Sequence, residues 1–207
     1  ILIAYKGSND QKIRYVSTLN GNSWTAEEEI PNVGLSHSLS LCELSYSAEY
    51  QLFCAYQGSH HDPKLRYVIN YINTDPLQKG WEAEEVVPNA RLSHSPSLAV
   101  FNNILYCAYQ GSYFDHRLRY VTRDLKNSTR DLNNNEWNEE LVVPGVGLFY
   151  SPSLAVFNNA LYCAYQGSNH DQKLRYVSTP DGINWSEESV VPGVGLSDSP
   201  CLVTFNS

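Results

Sequence analysis

Cys54-Ala55-Tyr56-Gln57-Gly58-Ser59 returns as the same six residues at 107–112 and 163–168, and as the variant Ile3-Ala4-Tyr5-Lys6-Gly7-Ser8 at the start of the chain. The 207 residues therefore hold one structural unit written four times. From each hexapeptide the chain runs through an Asp (Asp10, Asp62, Asp115, Asp171) to an Arg-Tyr-Val, whose Arg is Arg14, Arg66, Arg119 or Arg175. A Trp follows in every copy: Trp24, Trp81, Trp137 and Trp185. Acidic residues, a short apolar run, a Pro and a Ser-x-Ser or Tyr-Ser element then lead into the next copy. The anchoring tyrosines Tyr5, Tyr56, Tyr109 and Tyr165 are 51, 53 and 56 residues apart, a period of propellers and arrays rather than of a domain with a unique core.

Within a copy, the run Pro-Ser-Leu-Ala-Val-Phe at 96–101 and 152–157 reads as a strand packed on both faces. An Asn-Asn turn (Asn102-Asn103, Asn158-Asn159) joins it to a second strand at 104–110 or 160–166, forming a hairpin. A loop through Gly-Ser-x-x-Asp reaches a third strand at 118–122 or 174–178, and a fourth runs from near the Trp to Val-Val-Pro. Four antiparallel strands per repeat make a propeller blade. The chain opens in a second strand, 1–6, and ends with an orphan first strand, 199–205. The expected fold is therefore all-β, a single-domain four-bladed β-propeller of four-stranded antiparallel blades, its ring closed by pairing of the C-terminal strand with the N-terminal strands. Blade 1 takes 1–31 with 199–207, blade 2 takes 38–88, blade 3 takes 95–144 and blade 4 takes 151–192. The copies diverge most at 70–80 and 123–136, whose Asn- and Asp-rich composition reads as solvated loops.

Net charge is −8, from 14 basic and 22 acidic residues with no basic cluster, which argues against a nucleic-acid partner. Much of the acidity follows the Trp (Glu27 to Glu29, Glu84 and Glu85, Glu139 and Glu140, Glu187 and Glu188) and reads as a solvated strand edge. No stretch approaches the ~18 apolar residues of a membrane span. With no Met, the chain is expected to begin after processing or trimming, which leaves a secreted or a cytoplasmic location open. Cys54, Cys107 and Cys163 share a position that accepts Ile3, so it is a packing position; with Cys42 and Cys201 they read as free thiols, a Cys42–Cys54 disulfide being the alternative. Asn127-Ser128-Thr129 and Asn184-Trp185-Ser186 are glycosylation triplets if the protein is secreted.

In a propeller the Gly-Ser-x-x-Asp loops share a face with the interblade loops, here Ser36-His37-Ser38, Ser93-His94-Ser95, Phe149-Tyr150-Ser151 and Ser197-Asp198-Ser199. Polar residues repeated around one rim suit multivalent recognition of a small polar ligand. A sugar fits, because its hydroxyls need donors and acceptors and its C–H face wants an aromatic plate. The candidate ligand residues are Ser8 with Asp10, Ser59 with Asp62, Ser112 with Asp115, Ser168 with Asp171, the loop residues His37, His94, Tyr150 and Asp198, and the four Trp. Each has a structural alternative: every Asp lies four residues before its Arg and can be spent on an ion pair, and the Trp set can be interblade packing. His37, His94, Tyr150 and Asp198 also form a possible ring of metal ligands about the axis. His60, His61, His116 and His170 read as exposed loop-tip residues. Catalysis requires an acid, base or nucleophile that breaks the symmetry, and none stands out, so no enzyme and no cofactor are expected.

Ser178-Thr-Pro-Asp181-Gly182-Ile-Asn-Trp185, and more loosely Ser17-Thr-Leu-Asn20-Gly21-Asn-Ser-Trp24, resemble the Asp-box turn of sialidases, with one residue more between Ser and Asp. The whole repeat, with Tyr-x-Gly-Ser, Arg-Tyr and Asp-Gly-x-x-Trp, resembles β-propeller lectins of the tachylectin-2 and tectonin kind. That resemblance implies a non-catalytic carbohydrate-binding protein with glycans as partners. Sialidases carry an arginine triad and a nucleophilic Tyr for which this chain offers no equivalent set. The alternative function is a protein-interaction or ion-carrying scaffold of hemopexin-like architecture with a site in the axial tunnel.

Overall fold

The computed structural model describes the chain except residues 47–48, 73–79, 126–136, 169–170 and 206–207. The Asn127 triplet, His170 and most of the two variable insertions lie outside the described residues. Those described form fourteen antiparallel strands and no helix: β1 (Leu2–Lys6), β2 (Lys12–Ser17), β3 (Glu28–Gly34), β4 (Ser40–Tyr46), β5 (Glu49–Gln57), β6 (Lys64–Ile72), β7 (Glu85–Arg91), β8 (Ser97–Phe101), β9 (Ile104–Gln110), β10 (Arg117–Asp124), β11 (Leu141–Phe157), β12 (Ala160–Gly167), β13 (Lys173–Thr179) and β14 (Ser189–Gly195). None of them therefore offers a helix long and apolar enough to cross a membrane.

The strands pair in sequence order, β1-β2-β3, β4-β5-β6-β7 and β8 through β14. The long β11 ends one repeat with its first half and opens the next with its second, so the repeats appear as unit 1 (β1–β3), unit 2 (β4–β7), unit 3 (β8 to early β11) and unit 4 (late β11 to β14). The Asn-Asn hairpins form as the sequence requires. Phe101 faces Ile104 and Phe157 faces Ala160, with all four turn asparagines in the left-handed region that a two-residue hairpin needs.

Each last strand continues beyond its Pro. A register shift there accompanies a left-handed residue directly after the proline: Asn32, Asn89, Gly145 or Gly193. The insertion at 70–80 begins as strand rather than loop, because β5 is long enough to give Asn70, Tyr71 and Ile72 ladder partners.

The core lies between units rather than within them. One layer joins Ile13 and Ile30 of unit 1 to Cys54, Tyr56 and Val68 of unit 2. A second joins Phe53 and Tyr67 of unit 2 to Leu105, Cys107 and Tyr109 of unit 3. The third joins Phe101, Tyr106 and Tyr120 of unit 3 to Leu161, Cys163 and Tyr165 of unit 4. Ring closure is where sequence and structure part. Among the described residues β1 has β2 as its one ladder partner, and 199–205 form no strand. With no ladder between them, Ile1 and Ile3 are exposed in unit 1 and Val203 and Phe205 in the C-terminal segment.

All five cysteines are free. Cys42 stands opposite Phe53, and Leu41 stands opposite Cys54, so alternation across the pleat puts Cys42 and Cys54 on different faces and removes the disulfide alternative.

Candidate functional site

The ladder register builds the same polar array in every unit. Tyr5, Tyr56, Tyr109 and Tyr165 lie directly opposite Arg14, Arg66, Arg119 and Arg175. Those arginines stand opposite Glu29, Val86, Val142 and Val190, so the Glu two residues earlier shares their face. The result is a Tyr–Glu–Arg–Asp chain. Tyr56, Tyr109 and Tyr165 donate their hydroxyls to Glu84, Glu140 and Glu188 at 2.8, 2.6 and 2.7 Å, and Tyr5 donates to Glu27. Each Arg also donates to that Glu and turns its remaining face to the loop Asp, as in Arg14–Asp10 at 2.8 Å and Arg66–Asp62 at 2.6 Å. Arg119–Asp115 and Arg175–Asp171 complete the set.

The structural alternative for the four Asp is therefore realised, and the Glu is the partner that sequence reading placed on a solvated edge. The signal was present: in every unit a Glu stands two residues before the residue paired with the Arg, which is Val in units 2, 3 and 4 and Glu29 in unit 1. The Gly of each Gly-Ser admits this array, since a methyl at Gly111 would meet Asp115 and Arg119 at 2.5 and 3.0 Å.

Electrostatics follow the contacts. The Arg14 hydrogen bond lowers Asp10, and the Arg175 hydrogen bond lowers Asp171. At Asp62 and Asp115 burial acts upward but the arginines outweigh it, leaving Asp115 at about 2. The Tyr5 hydroxyl, with Arg14, lowers Glu27. Burial, and then the Glu partner, pushes Tyr56, Tyr109 and Tyr165 upward, so the phenols stay protonated donors.

The loops meet as the fold reading required. Ser36 Oγ donates to the Gly58 carbonyl at 2.6 Å and accepts from the His61 N–H at 2.8 Å, and Ser93 Oγ donates to the Gly111 carbonyl at 3.0 Å. In the Gly-Ser loops Asp62, Asp115 and Asp171 donate their N–H to the carbonyls of Ser59, Ser112 and Ser168. Unit 1 has one residue fewer there, Ser8-Asn9-Asp10, and its array opens on a cavity of 340 Å³ lined by Tyr5, Lys6, Ser8, Asp10, Arg14 and Glu27. Sequence reading missed Tyr113 and Phe114. Both sit at the centre of the unit 3 turn with positive φ, 72% and 97% exposed. Bulky residues in that backbone region carry strain, and the turn holds two aromatic faces out in water.

The Trp set does not join this site. Trp81 lies against Tyr15, Trp137 against Phe53 and Tyr67, and Trp185 against Tyr120, with ring centroids 5.7 to 5.8 Å apart. Each closes an interface between units at the opposite end of the strands, where Trp81 bridges to Asn70. Trp24 is 45% exposed.

The interblade loops bring His37 to 5.3 Å from His94, and His94 to 5.4 Å from Tyr150, with His61 6.0 Å from His37. Asp198 adds its charge to His94. Among the described residues no group of three or more His, Cys, Asp or Glu is arranged to hold a metal ion.

Burial pushes both His37 and His94 below the ordinary imidazole value; His94 and His61 push His37 further, while Gln110 and Asp198 oppose the shift at His94. The unfolded chain then binds these protons first, so stability is full above the unfolded value of about 6.5 and declines as pH falls toward the depressed folded values. We expect a lower melting temperature at about pH 5 than at about pH 7.5, and a flatter profile for the His37→Gln/His94→Gln variant in scanning calorimetry. The lowered carboxylates contribute their own loss at lower pH, as it falls from their ordinary values of about 3.9 to 4.3 toward the depressed folded ones.

No protein-family model and no curated protein sequence matches this chain. Solved structures do. A mutant of the Aleuria aurantia lectin in complex with α-methyl-L-fucoside superposes with a TM-score of 0.51 at 13% identity, over 94% of this chain and 63% of the lectin. The α-L-arabinofuranosidase from Fusarium graminearum, in complex with an iminosugar inhibitor, gives 0.55 at 18% identity, over 92% and 62%. A family 117 glycoside hydrolase from Zobellia galactanivorans gives 0.51 at 16% identity, over 92% and 58%. All three are β-propellers. This chain has a β-propeller fold. It spans less than two thirds of the length of each of these neighbours.

Proposed function

We propose that this chain is a carbohydrate-binding protein, a lectin without catalytic machinery, whose repeats each form a blade and present equivalent sugar sites beside the Gly-Ser loops. The observation that carries this reading is the Tyr–Glu–Arg–Asp array, present without variation in all four units and opening in unit 1 on a cavity of 340 Å³. Its ionised carboxylates keep lone pairs free for sugar hydroxyls, and the arginine holds them in fixed geometry. Ser8, Ser59, Ser112 and Ser168 and the interblade residues His37, His94, Tyr150 and Asp198 border the same face. Tyr113 and Phe114 supply exposed plates for the C–H face of a sugar ring.

Among the neighbours are both a lectin bound to a fucoside and glycoside hydrolases. Two features favour binding over hydrolysis. Glycoside hydrolysis commonly needs one carboxyl raised to serve as acid, whereas Asp10, Asp62, Asp115, Asp171 and Glu27 are all lowered by their partners. The array also repeats without the asymmetry that one active site requires.

Spaced weak sites engaging one glycan surface raise avidity by roughly 10²-fold or more over a single site. A glycan array probed with and without calcium tests the reading: binding to glycans is expected, and an array blank under both conditions overturns it. Turnover of a chromogenic glycoside would overturn the non-catalytic part.

A further inference from the structure

The chain sets two successive residues in the left-handed region at two kinds of turn, and fills them differently. Asn102-Asn103 and Asn158-Asn159 cross the hairpins with φ between 47° and 60°. His60-His61 and Tyr113-Phe114 cross the Gly-Ser loops with φ between 54° and 66°. Those loops close on the Asp62 N–H, which donates to the Ser59 carbonyl at 3.1 Å, and the Asp115 N–H, which donates to the Ser112 carbonyl at 3.2 Å. A left-handed pair suits Gly, Asn or Asp and strains a bulkier residue. The hairpins take asparagine, so this sequence has the unstrained solution at hand. In the Gly-Ser loops of units 2 and 3 it carries His-His and Tyr-Phe instead, and the turn itself does not call for those side chains.

The fold supports one pair and not the other. At unit 2 the preceding segment holds the turn: the His60 N–H donates to Gln11 Oε1 at 2.9 Å, the His61 N–H donates to Ser36 Oγ at 2.8 Å, and the His61 ring lies 6.0 Å from His37. At unit 3 the place of Gln11 is taken by Pro63, which has no side-chain acceptor, and Ser93 Oγ meets the Gly111 carbonyl and His94 Nδ1. With Phe114 at 97% exposure, packing offsets none of its strain. The next residue, Asp115, binds Arg119 and also Arg117, whose Nε and Nη2 donate to its two oxygens at 2.8 and 3.3 Å. The other units have Lys12, Lys64 and Lys173 in place of Arg117, so a planar, exposed guanidinium beside the turn occurs in unit 3 alone.

We propose that the unit 3 turn is the ligand-selecting subsite of this protein, where Tyr113 and Phe114 stack on the C–H face of a neutral pyranose and Arg117 with Asp115 meets its hydroxyls. This rests on the carbohydrate-binding reading and makes the repeats unequal: the shared array positions a sugar, and the turn residues choose it. A pyranose fits because its ring hydrogens need an apolar plate while the hydroxyls at its rim need donors and acceptors a few ångströms away, and both lie within residues 113–117. The sugar is neutral because Asp115 and Glu140 balance Arg117 and Arg119, leaving no surplus charge for a carboxylated one. A membrane surface, the other partner that suits exposed aromatic residues, is disfavoured by the net charge of −8. Strain kept at a loop that binds is the expected exchange of stability for recognition.

Tyr113→Asn/Phe114→Asn gives unit 3 the pair already used in the hairpins, and is expected to melt about 2 °C or more above the wild type. On an array of neutral glycans ending in pyranoses, its apparent affinity is expected to fall about tenfold or more, whereas His60→Asn/His61→Asn stays within about threefold of the wild type. The raised melting temperature separates a lost contact from a damaged fold. A wild type that binds no glycan overturns the carbohydrate reading and this inference with it. Wild-type binding that persists in the unit 3 variant overturns this inference alone, as does an equal loss in the two variants, a preference for carboxylated glycans, or a lower melting temperature for the unit 3 variant. Sedimentation of the wild type with phosphatidylcholine vesicles, lost in the unit 3 variant, overturns it in favour of a lipid surface.

Discussion

Tyr109→Ala costs about 4 kcal/mol of stability, measured as the shift in urea midpoint at constant slope, whereas Tyr109→Phe costs about 1.5 kcal/mol. The two numbers separate what the ring does from what the hydroxyl does. Tyr109 is fully buried in the layer between units 2 and 3, so its loss leaves a cavity bounded by sheets that cannot close without changing their spacing. Phe keeps the volume and removes only the hydrogen bond to Glu140, which retains Arg119 as partner. Tyr5→Ala is expected to cost under about 2 kcal/mol, because Tyr5 is half-buried. Equal costs at Tyr5 and Tyr109 would show that the layers between units are not the cohesive core of this chain.

That contrast between equivalent tyrosines marks the limit of what the repeat reveals. The strand order, the Asn-Asn hairpins and the meeting of Gly-Ser and interblade loops are legible because each is set by residues adjacent in sequence or repeated at one period. The Asp–Arg pair is legible for the same reason, being only four residues apart. Glu84 is not: it lies 18 residues beyond Arg66, across a strand connection of variable length, and only the ladder register assigns it to the array rather than to solvent.

Closure of the ring was the larger misreading. An orphan strand at each end of a sequence invites pairing, yet pairing depends on the angle each interface sets between sheets. That angle comes from how rings such as Trp137 and Tyr67 wedge together, which no pattern of apolar residues encodes. Ile1 and Ile3, just before β1 and at its start, and Val203 and Phe205, in a segment expected to be a strand that forms none, are the apolar residues left exposed.

Gly182→Ala is expected to cost about 3 kcal/mol, and Gly21→Ala about 1 kcal/mol, although the two glycines occupy the same turn. Gly21 and Gly182 have φ of 76° and 79°, and each donates its N–H to the Thr three residues earlier, Thr18 at 3.0 Å and Thr179 at 2.9 Å. Both pay the left-handed penalty when a side chain is added, which accounts for about 1 kcal/mol. They differ in surroundings. Nothing lies within 4 Å of a methyl placed at Gly21, whereas at Gly182 it collides with the hydroxyl of Tyr106, a side chain only 2% exposed in the layer between units 3 and 4. Displacing a packed ring there adds about 2 kcal/mol. A double-mutant cycle isolates that contribution: Tyr106→Phe in the Gly182→Ala background removes the nearest colliding atom and should recover about 1 kcal/mol, while leaving the cost at Gly21 unchanged. Equal penalties at the two glycines, or no recovery with Phe, would mean that the Asp-box-like turn at Asp181 is a local device of its own loop. The unequal result makes it part of what joins unit 4 to unit 3.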